Sequence, residues 1–254
     1  MSSAPVALRT LAFGDLEGTV WGAGWFAGPA GRALTMLGGD AQGAVLVEGR
    51  PPADGDVAGE WHLQGAGELV AAPAAEAVGV QTPKDQVEGY DQLCRVTGRL
   101  ALDGEEREVD CLGVRTWFPG PIELERYESI RAVSTWFEPD EAMALTAFRA
   151  RKAKAHDGDL VAAAVIGPEN STAVEDPRLS TTYGTEGWPV RAGLELWLPT
   201  PEDAEQQFPR RASGEALGER AQAESDGLEV RAGPFRWHSR GRDGAGMYIL
   251  ARRR

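Results

Sequence analysis

Leu93-Cys94-Arg95-Val96-Thr97-Gly98-Arg99-Leu100-Ala101-Leu102, then Asp103-Gly104, then Glu105 to Trp117, is the stretch that decides the fold. An Asp-Gly pair between two alternating runs marks a tight hairpin, because both residues take positive φ at little cost. With that turn, Leu102 pairs with Glu105, Arg99 with Glu108, Thr97 with Asp110 and Val96 with Cys111. Cys94, Val96, Gly98 and Leu100 then share an apolar face with Val109, Cys111 and Gly113. The same parity, carried outward, turns Arg115 and Trp117 inward.

The rest of the chain continues the theme of short apolar runs cut by Gly, Pro and Asp. Upstream they cover residues 8–13, 19–26, 33–37, 44–47, 60–63 and 68–72, with 50–56 as a surface loop and 78–88 as a connecting loop. Downstream, Pro119-Gly120-Pro121 is expected to stop the hairpin strand, and 122–137 resumes extended, with Ile130, Ala132, Ser134 and Trp136 on one side. In 141–155 the composition favours a helix, whereas Met143, Leu145 and Ala147 share one parity; a strand over 142–148 is the reading kept. Further strands follow at 160–166 and 190–198, then an antiparallel pair at 208–217 and 228–236, then 247–251. The expected fold is all-β with few short helices.

An internal echo divides the chain. Glu108-Val109-Asp110-Cys111-Leu112-Gly113-Val114-Arg115 lines up with Glu229-Val230-Arg231-Ala232-Gly233-Pro234-Phe235-Arg236, against chance as the competing explanation. Two tandem β-domains are expected, 1–128 and 129–254, each an antiparallel barrel or strongly curved sheet. A barrel of about eight strands can enclose one small ligand.

Composition narrows the function. The formal net charge of −13 over 254 residues repels phosphate backbones, so nucleic acid is not an expected partner. The basic run Arg252-Arg253-Arg254 reads as a frayed, solvated tail. No stretch approaches the ~18 apolar residues of a membrane span, and the first residues lack a basic segment followed by an apolar run. A cytoplasmic protein with no integral membrane segment is expected, and a homodimer is left open. Cys94 and Cys111 read as reduced core residues. His62, His156 and His238 lack ligand spacing, so no metal is expected. Gly22-Ala23-Gly24 does not complete a dinucleotide fingerprint, no phosphate-binding loop is present, and no cofactor is called for.

The charged residues that alternation sends inward carry the chemistry. Arg115 and Arg236 occupy matching places in the echo, and a buried guanidinium needs a carboxylate, a stacking partner or a ligand acceptor. The dense run Glu123, Glu125, Arg126, Tyr127, Glu128 and Arg131 either supplies an acid–base pair to a cavity or forms a solvated strand face. Arg115, Glu128 and Tyr127 are the candidate catalytic residues. Trp21, Trp25, Trp117, Trp136, Tyr90, Arg236 and Trp237 are the candidate ligand-binding ones, with core packing as the alternative for any single Trp.

Three stretches carry a family likeness: Tyr90-Asp91-Gln92-Leu93-Cys94-Arg95-Val96-Thr97-Gly98, Val109-Asp110-Cys111-Leu112-Gly113-Val114-Arg115, and Ala192-Gly193-Leu194-Glu195-Leu196-Trp197. They resemble the uncharacterised bacterial branch of the hydroxyneurosporene synthase and AttH-like group. The resemblance implies tandem lipocalin-like β-domains that handle hydrophobic small molecules, isoprenoids and polyketides among them, as hydratases, cyclases or carriers. Many members carry Asp-His-x-Trp-Gly after the Gly-x-Arg of the central strand; here Thr116-Trp117-Phe118-Pro119 follows Arg115, so a hydratase is disfavoured. The leading expectation is a protein that encloses an apolar terpenoid or polyketide-like molecule and catalyses a cofactor-free cyclisation or isomerisation. A non-catalytic carrier or sensor is the rival, and a filled structural β-domain the third reading.

Overall fold

The computed structural model describes residues 5–27, 33–39, 45–49, 59–64, 67–83, 86–102, 105–153, 158–168, 171–199, 208–218, 220–225 and 227–253. The Asp103-Gly104 turn, the 50–56 loop and His156 lie outside them. No α-helix occurs among the described residues.

The first sheet contains β1 (Val6–Gly14), β2 (Val20–Ala27), β3 (Ala33–Gly39), β4 (Val45–Gly49), β5 (Trp61–Gln64), β6 (Gly67–Pro73), β7 (Val78–Gln81), β8 (Glu88–Leu102) and β9 (Glu105–Ile122). The second contains β10 (Tyr127–Phe137), β11 (Glu141–Ala150), β12 (Leu160–Ile166), β13 (Thr172–Ala173), β14 (Asp176–Tyr183), β15 (Pro189–Trp197), β16 (Arg210–Ala216), β17 (Ala221–Ser225), β18 (Leu228–Ser239) and β19 (Arg242–Arg252). The spatial orders are β4-β3-β2-β1-β9-β8-β6-β5, with β7 on β8, and β13-β12-β11-β10-β19-β18-β16-β15-β14, with β17 on β18. These are two curled antiparallel half-barrels of one topology, the second with an extra edge strand.

The hairpin register is the one its sequence dictates: Leu102 faces Glu105, Thr97 faces Asp110 and Val96 faces Cys111. Strand alternation keeps 141–150 in β11 despite its helix-forming composition, because both faces of that strand are covered. Two expectations fail. Residues 78–81 form a strand on β8, with Val78 and Val80 buried and Gly79 and Gln81 exposed, too short a pattern to stand out from a loop. Pro119-Gly120-Pro121 does not end β9, which reaches Ile122. A register shift between Val6 and Leu8 lets the proline-bearing residues bulge out of the ladder.

The central strands of each sheet, β1 and β2 in the first and β10, β11 and β19 in the second, are buried on both faces. One face of the first sheet holds Leu11, Phe13, Phe26, Trp61, Leu69, Cys94, Val96 and Cys111 as the interior of its own barrel. One face of the second holds Val133, Phe137, Met143, Leu145, Leu194, Phe235, Trp237 and Tyr248 in the same way. The opposite faces meet, and Leu8, Trp21, Trp25, Leu93 and Phe118 pack with Ile130, Trp136, Phe148, Ile166 and Ile249. The second barrel closes where chain passes from one edge to the other: Val174 N donates to Ala163 O of β12 and Glu175 N to Trp197 O of β15, each at 2.9 Å.

Candidate functional site

Period-two geometry brings Arg115, Tyr90 and Trp117 together at one end of the first barrel, since Tyr90 faces Trp117 and Gln92 faces Arg115 across the ladder. Arg115 is fully buried. Its Nε donates to Gln92 Oε1 at 2.8 Å, and its Nη1 to the carbonyls of Gly59 at 2.6 Å and Ala71 at 3.4 Å. The guanidinium also stands 5.2 Å from the Trp61 ring. Tyr90 meets Trp117 edge-on at 5.8 Å, and the buried Arg9 lies 5.2 Å from the other side of that indole. Burial pushes the Cys94 thiol up to about 12, with Arg115 pulling the other way, so it stays protonated. These bonds tie β5 and β6 to β9, and the guanidinium acts as a strut.

The matching residue in the second barrel is not Arg236. β8 and β9 correspond to β18 and β19 by sheet order, whereas the sequence echo set β9 against β18. With the hairpin ends superposed, Leu102/Glu105 on Ser239/Arg242, the Gln92/Arg115 pair falls on Glu229/Arg252. The bonding repeats as well: Arg252 Nε donates to Glu229 Oε2 at 3.0 Å and Arg252 Nη1 to the Gly187 carbonyl at 3.3 Å. Arg231 Nη2 holds the other Glu229 oxygen at 2.7 Å. Hydrogen bonds from Arg231 and Arg252 carry that carboxyl down to about 2 against the cost of burial. Arg236 is exposed and pairs with Glu17 of the first sheet at 3.1 Å. Nor are Arg252 and Arg253 frayed, since Arg253 donates to the carbonyls of Tyr127 and Leu124 at 3.2 and 3.0 Å, while Arg254 lies outside the described residues.

At this same end of the second barrel lies a group of which the sequence reading named only Arg131, as part of the charged run 123–131. Arg131, in register with Leu250 of β19 and Ala147 of β11, points inward and is ion-paired with Asp159, their side chains 5% and 2% exposed. Arg131 Nε is buried with no hydrogen-bond partner. Beside it Tyr248, fully buried, shares a 3.1 Å hydrogen bond with Thr181. Burial raises the Tyr248 phenol above the ordinary tyrosine range, so it remains a donor at neutral pH. Arg131, Asp159, Ala147, Val161 and Leu179, together with the charged Glu175, Asp176 and Arg178, border a pocket of about 490 Å³, within the size range of small-molecule sites. Alternation from Ile130 does place Arg131 with Val133 and Phe137. Its partner Asp159 sits just before β12, where no local pattern announces it.

The other candidates lie elsewhere. Glu128 is exposed, and Tyr127 is in the layer between the sheets, its ring 5.2 Å from Phe148. Neither joins Arg115, which faces the opposite side of its sheet. Trp21 and Trp25 lie in that layer too, as does Trp136, whose Nε1 donates to Gly14 O at 3.1 Å and bolts the halves together. Trp237 fills the second barrel: a Cβ on Gly214 would come within 2.7 Å of its ring. Among the described residues no group of three or more His, Cys, Asp or Glu could hold a metal ion, and no helix is long and apolar enough to cross a membrane.

No family model and no curated protein matches the sequence. Solved structures share the fold over 98% of this chain. CghA, in a structure with Sch210972, matches over 89% of its length at 13% identity and a TM-score of 0.66. A putative AttH from Nitrosomonas europaea matches over 92% at 11% identity and 0.66. Kievitone hydratase from Nectria haematococca matches over 89% at 8% identity and 0.57. The fold is the tandem lipocalin-like fold of AttH-like proteins.

Proposed function

We propose that this chain uses the tandem lipocalin-like fold to enclose an apolar small molecule, terpenoid or polyketide-like, in the second barrel beside Arg131. The two sheets are read as two domains, divided close to residues 128 and 129. The observation that carries the proposal is a buried Arg–Asp pair at the base of a pocket of about 490 Å³ whose lining mixes Ala147, Val161 and Leu179 with the charged Glu175, Asp176 and Arg178. Arg131 has a buried N–H left to donate, and a carbonyl oxygen of the ligand is a fitting acceptor. Asp159 fixes the guanidinium. Donors set in advance around a carbonyl favour the charge that develops on its oxygen during enolisation, so a cofactor-free isomerisation or cyclisation is the reaction this end of the barrel suits. The ion pair also favours a second reading, a carrier without turnover, because it commits much of the guanidinium before any ligand arrives.

Mass spectrometry of organic extracts from the purified protein tests the proposal. The wild type is expected to retain a discrete apolar compound that an Arg131→Met/Asp159→Leu variant loses. Extracts of the two that are alike would overturn it. With a compound in hand, an enzyme loses rate more than affinity in the variant, and a carrier loses affinity alone.

A further inference from the structure

The opposite end of the second barrel is built differently. Phe137 lies six residues along β10 from Arg131, about 20 Å away at the rise of a strand. There Phe137, Met143 and Val165 form the floor of a pocket of about 370 Å³. Among the described residues, Arg210, Arg240 and Arg242 line it with the carboxylate of Glu141. The whole chain carries −13, so a local excess of guanidinium over an apolar floor runs against the general field. Arg242 is already engaged: it bonds the Glu141 carboxylate and the Glu138 carbonyl, and stands 5.7 Å from the Phe137 ring. Arg242 thereby offsets Glu141, and among the described residues of the lining Arg210 and Arg240 carry the remaining positive charge.

Arg240 is singular in its backbone. Ser239 faces Arg242, so Arg240 and Gly241 make a two-residue turn with φ of 52° and 76°. Asn, Asp or Gly suits the first position of such a turn, and a long side chain there is strained. Arg240 is the described non-glycine residue at positive φ, and it lines pockets on both sides of the turn. A strained residue over a pocket is the kind of outlier from which function is inferred.

We propose that this mouth is a second binding site, for an amphipathic carboxylate, with its hydrocarbon chain on Phe137, Met143 and Val165 and its head group taken by Arg240 and Arg210. Guanidinium and carboxylate match in geometry as well as charge. The site is independent of the Arg131 pocket, and failure of that pocket to hold a ligand leaves it untouched.

Calorimetric titration of the full chain with dodecanoate, and with dodecanol as the uncharged control, tests it. Dodecanoate is expected to bind at least tenfold more tightly than the alcohol, and that preference should fall at least tenfold in an Arg210→Gln/Arg240→Asn variant. Asn is at home in the turn, so this variant keeps the fold. Arg99→Gln/Arg191→Gln, which removes the same charge from exposed strand positions, should bind as the wild type does. Equal affinity for acid and alcohol, no binding of either, an unchanged mouth variant, or an equal loss in the charge control would each overturn the proposal.

Discussion

Arg131 and Asp159 show how a buried pair behaves when one member is removed. Arg131→Gln leaves a carboxylate without its main partner in an apolar interior, and chemical denaturation should show a loss of about 3–5 kcal/mol. Arg131→Met/Asp159→Leu removes both charges and should stay within about 1 kcal/mol of the wild type. Asp91 governs pH dependence. Buried between the sheets, it accepts a 2.5 Å hydrogen bond from Thr116, and burial raises its carboxyl to about 7 despite that bond. The folded state therefore holds a proton that the unfolded chain releases near pH 4, and stability from this group falls as pH rises from about 4 to 7. Glu229 has the opposite sign: its contribution is complete above pH 4.5 and is lost toward pH 2. Asp91→Asn should abolish the decline between pH 4 and 7 in urea titrations and be roughly 2–4 kcal/mol more stable than the wild type at pH 8. Alternation alone revealed that Arg115 is buried, because every residue of its hairpin obeys one period. It could not reveal Asp159, whose pairing is set by chain closure.

Among the elements, β18 crosses the second barrel with Trp237 laid over glycines of its neighbours. A Cβ on Gly246 would strike both the indole and the Ser134 carbonyl. Gly246→Ala should cost roughly 1–3 kcal/mol by overpacking, read from the urea midpoint. The same arrangement explains why aromatic count misled as a guide to a ligand wall: a wide ring facing glycine is filling space. The internal echo was legible as a duplication but not in its alignment. β9 and β18 share residues such as Glu, Val and Arg, while sheet order and hydrogen bonding set β18 against β8. Only the shared clamp, Arg115 with Gln92 and Arg252 with Glu229, displays the true correspondence, and its two copies share no more than the arginine.

At the scale of the whole molecule, the faces that meet between the sheets are as apolar as the barrel interiors. Leu8, Trp21, Trp25 and Phe118 on one side, and Ile130, Trp136, Phe148 and Ile249 on the other, lose their cover if the halves are parted. Residues 1–126 and 127–254 expressed separately should aggregate, and when co-expressed they should elute as one complex on size exclusion. Soluble, non-associating halves would show that the layer is dispensable. Burial of β2 was legible in Trp21, Trp25 and Phe26, although Gly22 and Gly24 line the second parity and left open whether that face is filled or only closely approached. Which face met the partner was not legible, because that depends on how two separately curved surfaces stack.

Consecutive amides at Val174 and Glu175 reach back to opposite flanks of the second barrel. A tube fastened along one line by so few stitches can gape there while its remaining ladders stay shut. For the ligand proposed for this barrel, such a seam is a sideways door, and the strength of that latch sets how long it stays.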